Sequence, residues 1–191
     1  MRLSLRPLSA FLGFLLAMGA SAVVCQDSKD DPSEIDRLTS RGNLRMNRDD
    51  LEGALADFNA VVKLAPKEAK GWYLRGRVYQ RQAKPEYAID DFTEAISIEK
   101  NADSYLARGI CFGAQKDYKL AVSDFDKAVE MEPARALAWY HRGEGYYHVD
   151  GLTTALASFD RAIQLDPLSN SGWFPMSQTL APIRQGKSTS S

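Results

Sequence analysis

The chain has 191 residues, 45% hydrophobic and 26% charged, a composition that supports one globular domain with a real core. Its net charge of −1, with no Lys/Arg run and no long acidic tail, excludes the concentrated basic surface that nucleic-acid binding needs to displace counterions. Two cysteines, Cys25 and Cys111, do not make a disulfide framework.

Residues 1–25 differ from the rest. Arg2 and Arg6 precede an apolar run from Leu8 to Met18, and Ala20-Ser21-Ala22 then offers the small residues of a cleavage site. Basic, apolar, small is the order of a secretory signal peptide, which makes the chain an exported one: periplasmic, secreted or membrane-anchored outside the cytoplasm. An uncleaved anchor is the alternative, because the uncharged stretch from Pro7 to Gln26 is just long enough to span a bilayer. Any membrane contact is expected through this segment alone. Cys25 is a poor match to a lipidated cysteine, since Ala22-Val23-Val24 lacks the Leu three before it and the small residue just before it. Residues 26–34 read as a linker.

A repeat then takes over. Arg-Gly occurs at Arg41-Gly42, Arg75-Gly76, Arg108-Gly109 and Arg142-Gly143, with glycine spacings of 34, 33 and 34 residues. Each pair is followed by an alanine (Ala54, Ala88, Ala121, Ala155) and, four residues on, by a phenylalanine (Phe58, Phe92, Phe125, Phe159). Three residues later comes Val61, Ala95, Ala128 or Ala162, and then Pro66, Pro133 and Pro167. Lys100 stands in place of proline in the second unit, which is also one residue short. Each unit holds two apolar stripes at i, i+3, i+4, i+7 spacing, which predicts two amphipathic helices; in unit three these are Asp103–Gln115 and Tyr118–Glu130. Asp49-Asp50, Lys84-Pro85, Lys116-Asp117 and Asp150-Gly151 read as the turns between them. Such a unit cannot bury its own apolar face, so stacking is obligatory.

This pattern resembles the tetratricopeptide repeat. Trp72, Tyr105 and Trp139 fill its first aromatic position and Tyr79, Phe112 and Tyr146 its second, while unit one departs with Leu38 and Arg45. The resemblance implies an all-α, right-handed solenoid of four helix-turn-helix units, at 35–68, 69–101, 102–135 and 136–169. Trp173 lies 34 residues after Trp139, with Ser177 where Gly is expected, so residues 170–184 read as a capping helix made short or irregular by Pro175 and Pro182. The polar tail, 185–191, reads as disordered.

An Asp precedes the Phe in three units (Asp57, Asp91, Asp124), which predicts an Arg–Asp pair bridging the two helices of each. A ligand carboxylate gripped by these arginines is the competing reading, disfavoured because identical recurrence serves a scaffold. In unit four Ser158 replaces the Asp, leaving Arg142 either free for a ligand or paired with Asp160.

By resemblance, the ligand surface is the concave side lined by first helices. Unit two contributes Lys70, Tyr73, Arg77, Gln80 and Arg81; unit three Asp103, Leu106, Ile110, Gly113 and Ala114; unit four Leu137, Tyr140, Glu144, Tyr147 and His148. The expected groove is basic in its middle and apolar-aromatic toward the C-terminal end, suited to a peptide with an acidic part and an apolar anchor. The plainer reading is that some of these aromatics only cover the next repeat. The carboxylate clamp of chaperone-binding repeats is not matched, because Thr39 stands where Lys is wanted and Leu74 where a further Asn is wanted, although Asn43 fits.

His141, Glu144 and His148 share one helix face, but seven residues rise about 10.5 Å, too far to share one ion. No metal or other cofactor is therefore expected. Gly143-Glu144-Gly145 lies inside a helix with no strand before it and is not a nucleotide fingerprint. Neither a nucleophile elbow nor a phosphate loop is present, and Cys111 takes a core position equivalent to Leu44 and Val78. The resulting expectation is an exported, non-enzymatic scaffold that binds a protein or peptide. A self-assembling or envelope-anchored structural protein is the alternative, and a metal-dependent enzyme a distant third.

Overall fold

The computed structural model describes residues 32–167. They form eight helices: α1 (Pro32–Asn47), α2 (Leu51–Leu64), α3 (Ala69–Arg81), α4 (Pro85–Ile98), α5 (Ala102–Ala114), α6 (Tyr118–Met131), α7 (Ala136–His148) and α8 (Leu152–Leu165). Among the described residues there is no strand, and no helix is long and apolar enough to cross a membrane. The predicted export segment, cap and tail lie outside this range. Helix α1 begins at Pro32, earlier than the expected linker end, because proline fits the first turn of a helix, where an N–H has no partner anyway.

Consecutive helices pair as hairpins, and the second helix of each pair packs on the first helix of the next. Within every unit the glycine of the first helix faces the phenylalanine 16 residues on. A Cβ added at Gly42, Gly76, Gly109 or Gly143 would lie 2.6–2.8 Å from Cε1 of Phe58, Phe92, Phe125 or Phe159. All four rings are buried, each worth about 2–3 kcal/mol of transfer free energy.

The four turns share one backbone solution. Asp49, Ala83, Lys116 and Asp150 adopt φ of 63°, 54°, 67° and 59°. The next residue's N–H returns to the carbonyl five residues back: Asp50 to Arg45, Lys84 to Tyr79, Asp117 to Phe112 and Gly151 to Tyr146. This is the Schellman closure, which satisfies carbonyls that a helix end leaves open. It normally favours glycine, and no glycine stands at the left-handed position in any of the four turns.

Stacking between units rests on one position of each first helix. Val78 and Cys111 are fully buried there, and Gly145 faces Val122 and Phe125 so closely that a Cβ would lie 2.8 Å from the valine. Leu44, expected to match them, is instead 49% exposed. The reason is its place in the first unit: among the described residues no earlier unit packs on that face.

Two substitutions test this reading by urea denaturation. Gly109→Ala should destabilise by about 1–3 kcal/mol, because the methyl drives into Phe125. Ala83→Gly should stabilise by up to about 1 kcal/mol by relieving a left-handed alanine.

Candidate partner-binding groove

The predicted Arg–Asp bridges are present. Arg75 holds Asp91 through two bonds of 2.6 and 2.8 Å, Arg108 holds Asp124 through two of 2.8 Å, and Arg41 holds Asp57 at 2.6 Å. In unit one Arg45, standing where the other units have an aromatic, adds a second bond to Asp57 at 2.8 Å. Burial and pairing oppose each other in these bridges. Hydrogen bonding to Asp91 raises the Arg75 pKa, while burial pushes the Asp91 carboxyl up. Desolvation thus offsets much of the attraction, and the bridges serve geometry more than stability.

The arginines of units two, three and four also reach the preceding unit, a link that spacing within one unit does not reveal. Arg75 donates to Asn59, Arg108 to Thr93, and Arg142 to Asp126 at 2.6 Å. Arg142 is therefore not free: Asp126 and the Ser158 hydroxyl hold its guanidinium, and Tyr146 donates to the other Asp126 oxygen. Asn59, Thr93 and Asp126 are short and polar, each 15 or 16 residues before its arginine, and that offset was the available signal.

The odd-numbered helices line one side of the stack. Helix α5 touches both α3 and α7, whereas no two even-numbered helices pack comparably, so the stack closes toward the odd side. Lys70 is exposed on it. Arg77 is half-buried, its guanidinium 5.9 Å from the Tyr73 ring centre, and that ring lies 5.8 Å from Phe92. Arg81 does not join them as expected. It turns back to the first turn, pairing with Asp49 at 2.8 Å and donating to the Met46 carbonyl. Asp103 is likewise engaged, by Arg135 at 2.7 Å.

Leu106 is a second correction. It is 3% exposed, packed with Phe125, Ala128 and Ala138, because an apolar side chain at this position has no polar tip to carry outward as Tyr73 and Tyr140 do. Ile110 is half-buried on the same cluster. The floor there is shallow. A Cβ at Gly113 would meet nothing within 4 Å, unlike one at any other described glycine, and Ala114 beside it is exposed.

The C-terminal end carries the aromatics. Leu137 and Tyr147 are 41% and 40% exposed. Tyr140 donates to Glu144 at 3.0 Å, and burial followed by the Glu144 charge pushes its hydroxyl up to about 12. His141 Nδ1 lies 2.8 Å from the other Glu144 oxygen. His148 stacks on Tyr118, centroids 4.1 Å apart, with Tyr147 edge-on at 5.4 Å. Glu144 and His148 thus face different partners rather than one ion, and among the described residues no His/Cys/Asp/Glu cluster is arranged for a metal. Tyr118 was not anticipated as part of this surface. Burial raises the Cys111 thiol to about 11, which fits a packing role.

Paired helices stacked through a recurring Gly–Phe contact, with one face open, define an all-helical solenoid of the kind that binds extended segments. The tetratricopeptide repeat family matches residues 39–105 and 106–170, more than half of the chain, and the chain belongs to that family. Among similar proteins is the mitochondrial import receptor subunit TOM70 of Rattus norvegicus, 29% identical over 121 residues, covering 59% of this chain and 20% of the receptor. The chain spans a fifth or less of the length of the first curated relatives it matches. Two solved structures share the fold. MamA from Desulfovibrio magneticus RS-1 has a TM-score of 0.72 at 19% identity, over 81% of this chain and 86% of that one. YrrB, described as a tetratricopeptide repeat protein with an unusual peptide-binding site, has 0.70 at 22%, over 85% and 84%.

Gly113→Ala should stabilise the fold by about 0.5–1 kcal/mol in urea denaturation, opposite in sign to Gly109→Ala four residues earlier. Cys111 in the full chain should resist iodoacetamide at pH 8, read by peptide mapping, and react fully only after unfolding.

Proposed function

We propose that the chain is a non-enzymatic scaffold that holds an extended segment of a partner protein along the odd-numbered helices. The observation that carries this is the open floor at Gly113, lying between the cations of α3 and the exposed Leu137 and Tyr147 of α7. A backbone can approach closely there, as nowhere else among the described glycines. Lys70 and Arg77 suit an acidic part of that segment, and Leu137, Tyr140 and Tyr147 an apolar anchor. Glu144, Tyr140 and His141 are engaged with one another, and Arg81 and Asp103 with Asp49 and Arg135, which favours recognition over bond chemistry. A peptide-binding role described for the YrrB neighbour agrees in kind. The basic-apolar-small order of residues 1–25 supports placing this function outside the cytoplasm.

A photo-crosslinking residue placed at Ala114 should capture a partner in the native compartment, and one at Leu120, exposed on α6, should not. Arg77→Glu or Tyr140→Ala should reduce the Ala114 adduct about tenfold or more. Equal adducts from both placements, or no loss in either variant, would sink the groove. The exposure of Leu44 favours self-assembly through the first unit as a second reading. Sedimentation decides it, since a monomer at every concentration rules that out.

A further inference from the structure

Helix α3 presents a second face of different composition. At about 100° per residue, Trp72, Arg75 and Tyr79 point about 150° away from Lys70, Tyr73, Arg77 and Gln80. They meet α4 around a cavity of about 310 Å³ whose lining includes Trp72, Tyr79, Tyr87, Asp90 and Glu94. The Tyr79 and Tyr87 rings lie 5.3 Å apart and tilted by 31°, and Tyr87 is 58% exposed, unusually open for a large aromatic.

The pocket is net negative. Arg75 lies inside it, its guanidinium 4.9 Å from the Trp72 ring centre, and Arg108 borders it through Thr93 of the lining, but both oxygens of Asp91 and of Asp124 hold those charges. Asp90 and Glu94 are exposed and form no ion pair among the described residues. Their charges reach Asp91, whose carboxyl is pushed up first by burial and further by these two neighbours, against the pull of Arg75.

No other unit repeats the arrangement. Where unit two has Asp90, the others have Ala56, Ser123 and Ala157; where it has Glu94, they have Ala60, Lys127 and Arg161. Tyr87 corresponds to Gly53, Leu120 and Thr154. A scaffold requirement would recur in every unit. An aromatic wall with two unpaired carboxylates at its rim, in one unit only, has the chemistry of a cation site.

We propose that this pocket receives one arginine side chain of a partner polypeptide, on the side of the stack opposite the groove. Arginine suits it better than a compact ammonium, because a planar guanidinium stacks on tyrosine and meets carboxylates along its edge. Arg75 on Trp72 already shows that geometry at the base of the pocket. The rim is exposed and screened within about 8–10 Å, so a free small cation gains little there, whereas a side chain carried by a larger contact surface is held in place.

The test is an NMR titration of the full chain with the heptapeptide Gly-Ser-Gly-Arg-Gly-Ser-Gly, blocked at both ends, and with its citrulline counterpart. The arginine peptide should shift the Trp72 Nε1–H and the Tyr87 amide saturably, with a dissociation constant on the order of millimolar. The neutral citrulline peptide should not. Asp90→Asn with Glu94→Gln, both exposed and harmless to folding, should weaken binding at least about fivefold. Arg77→Glu, on the groove side, should leave it unchanged, so this outcome and that of the groove reading are separable. Equal shifts from the arginine and citrulline peptides, or unchanged affinity in the double variant, would overturn the assignment.

Discussion

Everything in this fold depends on a two-residue zipper repeated four times. Arg-Gly on the first helix of a unit meets a residue-Phe pair on the second, 16 residues later. The glycine brings the helix axes close enough for the ring to sit against the backbone, and the arginine beside it spans to Asp57, Asp91, Asp124 or Ser158. Neither contact works without the other's spacing. A methyl at the glycine would lie within 2.8 Å of the ring, and moving the helices apart would strip a part-buried carboxylate of its partner.

This zipper explains what was legible in the linear chain. Contacts inside a unit occur at a constant offset, so repetition exposes them: the Arg–Asp bridges were readable, and so, to within one residue, were the helices of unit three. Contacts between units depend on how far one hairpin is rotated and translated on the last, which no offset states. Most of the misplaced residues are of that second kind. Arg81 reaches back to the turn of unit one and Arg142 to Asp126, whereas Leu106 differs by its side chain alone, having no polar tip to carry outward. Leu44 is of the second kind too, since its burial depends on a neighbour that the first unit lacks among the described residues.

The two faces of the stack differ in how they use side chains. On the odd-helix face, most polar tips are tied to one another, as Tyr140 and His141 are to Glu144, leaving Lys70, Leu137 and Tyr147 exposed. On the far side of unit two, Asp90 and Glu94 hold no such tie. A scaffold with two faces of unlike chemistry can hold two segments at once, and linking them raises the effective concentration of the second contact without any new affinity in the first.

The rungs between units have a consequence for the order of the repeats. Asn59, Thr93 and Asp126 are chemically unequal, and only the last is a carboxylate. Units two and three bring their own acid to their arginine, so either could stack on almost any predecessor. Unit four brings only Ser158 and borrows its acid from unit three. The stack is thus not an interchangeable tandem array but a sentence with fixed syntax at its end. If recombination deleted unit three, the joint would look seamless in helix packing, yet Arg142 would meet the Thr93 hydroxyl in place of the Asp126 carboxylate.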